Sequence, residues 1–158
     1  MRAGVALWVT ACALVVLPPA AAAGRSIGTA VRAARPAQAP FIGLGATTVH
    51  VAGRPLDVVL ARTEPEREAG LRERSTLGPY GGMLFVFAGD TSVGFTMSTV
   101  PVALDIGFYR SDGRAVGQLR MRPCPGPESA CPEYRTRRSF RYALETLAGR
   151  FPRGRLTG

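Results

Sequence analysis

The run VALDIGFY, residues 102–109, is a strong strand signal, and it carries a single carboxylate, Asp105. Side chains on a strand alternate between faces, so Val102, Leu104, Ile106 and Phe108 share one side while Ala103, Asp105, Gly107 and Tyr109 share the other. The bulky apolar set marks the side that packs on a core. Asp105 lies between small neighbours on the opposite side, and an acid in a partly dry place needs a cation or N–H donors. Arg67 and Arg74, which flank the end of a short helix, are the expected partners. Such a pair would lock helix to sheet, and the same three residues, Arg67, Arg74 and Asp105, are the candidate ligand-binding set.

Working outward, Met83–Phe87 and Ser92–Met97 are strand candidates before this run, with Met83 and Met97 embedded among phenylalanines as core residues. After it, Ser111-Asp112-Gly113 makes a turn. Arg114–Met121 then sets Ala115, Gly117, Leu119 and Met121 against Val116, Gln118, Arg120 and Arg122, as expected of a strand with one wet face. Phe140, Tyr142 and Leu144 repeat the pattern, with Arg141 and Glu145 on the polar side. Upstream, Thr47–Val51 and Leu56–Ala61 flank Ala-Gly-Arg-Pro and predict a hairpin. Thr63 followed by Glu66 is a capping-box spacing, so a helix over Glu64–Leu71 is expected, ended by Gly70. Gly81-Gly82 reads as a turn. These elements predict a mainly β domain over residues 41–158, a small barrel-like or sandwich fold of five to seven short strands with one short helix.

Residues 1–23 have the layout of a secretory signal peptide: one Arg, an apolar stretch to Leu17, Pro18-Pro19, then alanines suited to cleavage near Ala23. The chain is therefore expected to be secreted or extracytoplasmic. An uncleaved anchor through residues 3–23 is the other reading and the one route to a membrane. Residues 24–40, GRSIGTAVRAARPAQAP, lack a sustained period and are expected to be a disordered tether. Beyond the leader, two cysteines are left, Cys124 and Cys131, in the turn-rich PCPGPESACP. An even pair in an oxidising compartment predicts a disulfide. Two thiols and the distant His50 do not make a four-ligand zinc set, so no metal and no cofactor is expected.

Four blocks occur in order: REAGLRER at Arg67–Arg74, GMLFVF at Gly82–Phe87, FTMSTVPVALDI at Phe95–Ile106, and MRPC with CPEY at Met121–Cys124 and Cys131–Tyr134. Together they resemble the family known as domain of unknown function 192 (DUF192), over about residues 47–151. The resemblance implies a compact β-rich fold, export in many members and no established reaction. Against the family's FWMKNT-type block and following I-P-L-D-I, Phe95, Met97, Leu104, Asp105 and Ile106 match, while Thr96, Ser98, Thr99 and Ala103 replace Trp, Lys, Asn and the second Pro. Family members continue past the Ala148-Gly149 region with a helix and a further strand, and the tail RFPRGRLTG is too short for both.

Charge is unevenly placed. All 20 basic residues are arginine, a coding-bias signature as much as a binding one; from Arg110 to Gly158 eleven arginines face four acids. Residues Arg135–Arg141 and the Arg150, Arg153, Arg155 tail make a basic region. In an exported protein this points to anionic envelope polymers or acidic glycans rather than nucleic acid. Nucleophile-elbow, phosphate-loop and dinucleotide motifs do not occur, which disfavours the common hydrolase and nucleotide chemistries. The expectation is a monomeric, non-catalytic binding module. One alternative is a carbohydrate-active hydrolase using Asp105 with Glu73 or Asp57. Another is a structural accessory of a second exported protein.

Overall fold

The computed structural model describes residues 25–150 and 153–158. The expected signal peptide lies outside the described residues. In chain order the elements are α1 (Ile27–Arg32), β1 (Arg35–Pro36), β2 (Gly45–Val51), β3 (Arg54–Ala61), α2 (Glu64–Ala69), β4 (Gly82–Thr91), β5 (Phe95–Thr96), β6 (Leu104–Tyr109) and β7 (Ala115–Met121). A 3-10 turn at Glu128–Ala130, β8 (Glu133–Tyr134), β9 (Phe140–Leu147) and β10 (Leu156–Thr157) complete them. No helix among the described residues is long and apolar enough to cross a membrane.

The main sheet runs β1-β2-β3-β4-β9-β6-β7, with β10 added to β2, and β5 pairs β8 in a separate ribbon. The expected β2–β3 hairpin turns tightly on Ala52-Gly53, both at positive φ (51° and 77°), as a two-residue hairpin of right-handed twist requires. β3 and β4 are parallel, so the chain must cross over between them, and α2 lies on that crossover. Its capping box is present: Thr63 Oγ1 accepts the Glu66 N–H while Glu66 Oε2 accepts those of Thr63 (3.0 Å) and Arg62 (2.6 Å).

Each face of the sheet carries its own core. One, on the side of α2, gathers Val59, Met83, Phe85, Leu104, Ile106, Phe108 and Ala143 under Leu71, Leu77, Met97 and Val100. The other gathers Val49, Val58, Leu60, Leu84, Tyr109, Tyr142 and Leu144, with Leu156 and Ile27 set against them. The central strands are thus covered on both sides. β6, the run on which the fold assignment turned, is buried at every residue.

Three expectations change. Mainly β architecture is as expected, but ten strands and two α-helices form among the described residues, and the sheet is not a closed barrel. Instead, Leu156 N–H reaches the Gly113 carbonyl (2.9 Å) in the β6–β7 turn while β10 pairs β2, so the last strand bridges distant parts of a curved, open sheet. Between β9 and β10 no helix forms among the described residues. Residues 25–40, expected as a tether, carry α1 and β1. Ser26 caps α1, Ile27 is 3% exposed against the second core, and Arg35 pairs Ala46 on the sheet edge. Burying one isoleucine is worth about 2–3 kcal/mol, but two apolar residues at i, i+3 are too few to show as a period. Finally, the expected strand Ser92–Met97 shrinks to β5, because its apolar residues Phe95 and Met97 leave the sheet and cover it.

Candidate functional site

A glutamate sits where the sheet is driest. Glu145 on β9 lies opposite Met83 of β4 and Ile106 of β6, both fully buried, and is itself only 4% exposed. Close approach of β4 to β9 depends on Gly82, since a Cβ there would stand 2.5 Å from the Glu145 carbonyl oxygen. On the face that Glu145 shares with Ala143, the layer above leaves a cleft of about 570 Å³ between α2 with its following turn and the β4–β5 segment. Phe85, Phe87, Phe95, Leu71 and Val100 line it, and Glu145 forms part of the lining. Gly70, at φ 45°, ends α2 with its backbone close to the Phe85 ring, where a Cβ would stand 3.4 Å from Phe85 Cζ. Phe85 and Phe95 meet edge to face with centroids 5.1 Å apart.

The Glu145 carboxyl has no hydrogen-bond or ion-pair partner among the described residues. Burial disfavours its charged form and pushes its pKa up to about 8, so at neutral pH it is largely protonated. The two nearby cations are held elsewhere. Arg67 donates to the Val86 carbonyl (3.1 Å) and stacks over Phe87 at 4.9 Å. Arg72 donates to the Glu68 and Ser98 carbonyls (3.0 and 3.3 Å) and pairs with Glu128 (2.6 Å). Glu64 and Glu68 stand at the rim with no ion-pair partner among the described residues.

The expected disulfide has its partners in place, with Cys124 and Cys131 sulfurs 2.06 Å apart. Their loop presents Glu128 to the rim, and Cys124 is hydrogen-bonded to Met97 and Thr99, so this loop braces one wall of the cleft. Thr96, which stands where the family pattern has Trp, lines the cleft. Ser98, in place of Lys, is buried and donates to the Gly126 carbonyl (3.0 Å). Thr99, in place of Asn, holds φ 59°. Among the described residues no group of three His, Cys, Asp or Glu side chains could hold a metal ion.

Asp105 is buried as expected, but its partner is neither Arg67 nor Arg74. Arg120 grips it through Nε (2.8 Å) and Nη2 (3.1 Å), and the Gly149 N–H donates to Oδ2 (2.6 Å). Arg120 is its direct neighbour in the β6–β7 register. The Arg120 hydrogen bonds hold the Asp105 pKa below the usual aspartate value, against the opposing effect of burial and with help from Gly149. Arg74 instead donates to the Pro40 carbonyl (2.8 Å) and stacks on Phe41 at 4.6 Å. The correction has a simple cause: α2 and its flanking arginines cover the face of Leu104 and Ile106, and Asp105 points the other way. The three candidates therefore do not form one site; Arg67 lines the Glu145 cleft, whereas Asp105 lines a shallower depression of about 470 Å³ with Arg120, Gly149 and Arg153. Neither acid considered as a catalytic mate is placed beside it. Asp57 is three strands away in the sheet order, roughly 14 Å at normal strand spacing, and accepts from Thr48. Glu73 is on the α2 side, its N–H bonded to the Thr99 carbonyl.

Alternation alone assigned Glu145 to a wet face, because it treats any polar position as solvent-facing. The usable signal was context: one acid among Leu144, Thr146 and Leu147, the same arrangement that drew attention to Asp105.

The architecture defines an open, mainly antiparallel β-domain with a small acidic recess under its crossover helix and a basic flank. Residues 47–157 match the profile of DUF192, described as an uncharacterized ACR, and the chain belongs to this family. Two crystal structures share the fold. A protein of unknown function from Novosphingobium aromaticivorans is 27% identical, with TM-score 0.64, over 82% of this chain and 96% of that one. A protein from Sinorhizobium meliloti, provisionally assigned as a transcription regulator, is 30% identical, with TM-score 0.61, over 74% of this chain and 96% of that one. No curated protein matches the chain.

Proposed function

We propose that the chain is an exported, non-catalytic binding module of the cell envelope, and that its arginine-rich C-terminal third engages an anionic polymer or acidic glycan. The observation that carries this reading is the imbalance of committed charge. Arg110, Arg114, Arg122, Arg137, Arg138 and Arg153 are exposed and have no ion-pair partner among the described residues. The acids of the same stretch are taken: Asp112 caps the Arg114 N–H, Glu128 pairs Arg72, Glu133 pairs Arg135 and Glu145 is buried. Uncompensated positive charge on one stretch raises the local concentration of polyanions and is weakened by salt. The leader-like residues 1–23 support export.

Sedimentation of the purified protein with insoluble cell-wall and membrane fractions across a salt series tests the reading. Binding should fall as salt rises and should drop in the Arg137→Ala/Arg138→Ala variant. Absence of binding at low salt would overturn it, and release of soluble sugar would move the hydrolase reading ahead.

A further inference from the structure

We propose that the cleft beneath α2 is a binding site for a small organic ammonium ligand, whose nitrogen ion-pairs with Glu145 and whose apolar body packs on Phe85, Phe87 and Phe95. The site is independent of the basic flank and uses the opposite charge.

The first ground is Glu145 itself. A glutamate that is 4% exposed as a residue, with its carboxyl unpartnered among the described residues and turned to an open cleft, is costly to ionise without a partner, since a largely buried polar group is normally satisfied. An incoming cation supplies the missing partner. Local charge is the second. The titratable side chains lining the cleft are Glu64, Arg67, Glu68, Arg72, Glu128 and Glu145. Neither arginine hydrogen-bonds or ion-pairs with Glu145, and the lining sets four acids against two arginines in a chain of net charge +9. An anionic ligand would meet Glu145 and the rim acids. The walls are the third ground: aromatic rings attract ammonium groups through their electron-rich faces and offer area to an apolar body. Finally, about 570 Å³ suits a small molecule, within the common range of roughly 300–1,000 Å³.

Binding is proton-linked. The ligand keeps its own proton, Glu145 releases its proton to solvent, and the ion pair forms between carboxylate and ammonium. Because ionised Glu145 is the competent form, affinity should rise with pH up to its pKa of about 8 and then level off.

The test is titration calorimetry of the whole protein with 2-phenylethylamine, tryptamine and n-hexylamine, against neutral 2-phenylethanol, at pH 6 and pH 8.5. At least one amine should bind one to one, roughly 75-fold tighter at the higher pH, with close to one proton released at pH 7 by comparison of buffers. Glu145→Gln should abolish amine binding while retaining a cooperative thermal transition. Amine binding that is insensitive to pH or survives in Glu145→Gln would overturn the proposal, as would binding of 2-phenylethanol with equal affinity or failure of every amine. Should the variant not fold, the Glu145 side-chain carboxyl resonance of the native protein decides. A titration midpoint moved down by the amine supports the site, and an unmoved one overturns it.

Discussion

Asp105 and Glu145 are two acids on neighbouring strands of one sheet, both nearly inaccessible, and they are treated in opposite ways. Asp105 accepts two hydrogen bonds from Arg120 and one from Gly149, and its pKa falls. Glu145 faces phenylalanines with no donor, and its pKa rises to about 8. Burial is common to both; the partner differs. A buried acid that is fully coordinated is a strut, whereas one left open toward a cleft is a vacancy for a ligand cation.

The comparison breaks first on pH. Glu145 has a folded pKa of about 8 against an ordinary 4.5, so the folded state binds the extra proton. Its contribution is therefore fully present below about pH 4.5 and is lost as pH rises through 8, ~3–5 kcal/mol in all. Urea denaturation from pH 5 to 9 should show this decline in the native protein and a flatter profile in Glu145→Gln, which becomes the more stable of the two at pH 9. Parallel profiles would mean that Glu145 has an ordinary environment. Asp105 has the opposite sign: its depressed pKa gives stability above the unfolded value that is lost as pH falls through the folded one.

Removing the disulfide sharpens the contrast, because the Cys124–Cys131 loop braces the Glu145 cleft and not the Asp105 corner. Cys124→Ala/Cys131→Ala should cost about 2.5 kcal/mol by loop-closure entropy. In NMR titrations it should also shift the Glu145 midpoint and leave that of Asp105 unmoved. Asp105→Ala should cost ~2 kcal/mol by chemical denaturation, since it strands the Gly149 N–H and one side of Arg120. A double-mutant cycle should find Asp105 coupled to Arg120 and additive with Arg74. Coupling to Arg74 instead would restore the helix-to-sheet lock. The smallest effect is expected at Thr99, a β-branched residue at φ 59° next to the cleft-lining Val100. Thr99→Asn should gain about 0.5–1 kcal/mol of stability, read as a higher thermal midpoint, because asparagine tolerates this conformation better.

Much of the Asp105 corner was within reach of the sequence. A hairpin centred on Asp112-Gly113 sets 105 opposite 120, and the structure keeps that register despite a bulge near Tyr109. The expected partners lie on the helix, whereas the cation that pairs with Asp105 is across the turn on β7. For Glu145 no such local arithmetic exists. Its dryness comes from Leu71, Phe95 and Val100, which lie 45 to 74 residues away in the chain and are brought over the strand by connections with little period of their own. The order around α1 was hidden for a related reason, because its hold depends on Ile27 meeting a core formed by strands that come later.

By itself, then, the amino-acid sequence determined the β-rich class, the β2–β3 hairpin, the capping box of α2, the cysteine pairing and the family. These rest on periodicity and on residue chemistry within a few positions, which short-range sterics and hydrogen bonding enforce. Only the tertiary structure decided which of two similar acids acquires a partner. Solvation and electrostatic pairing are set by whatever the rest of the chain packs nearby, and alternation along one strand carries no record of that.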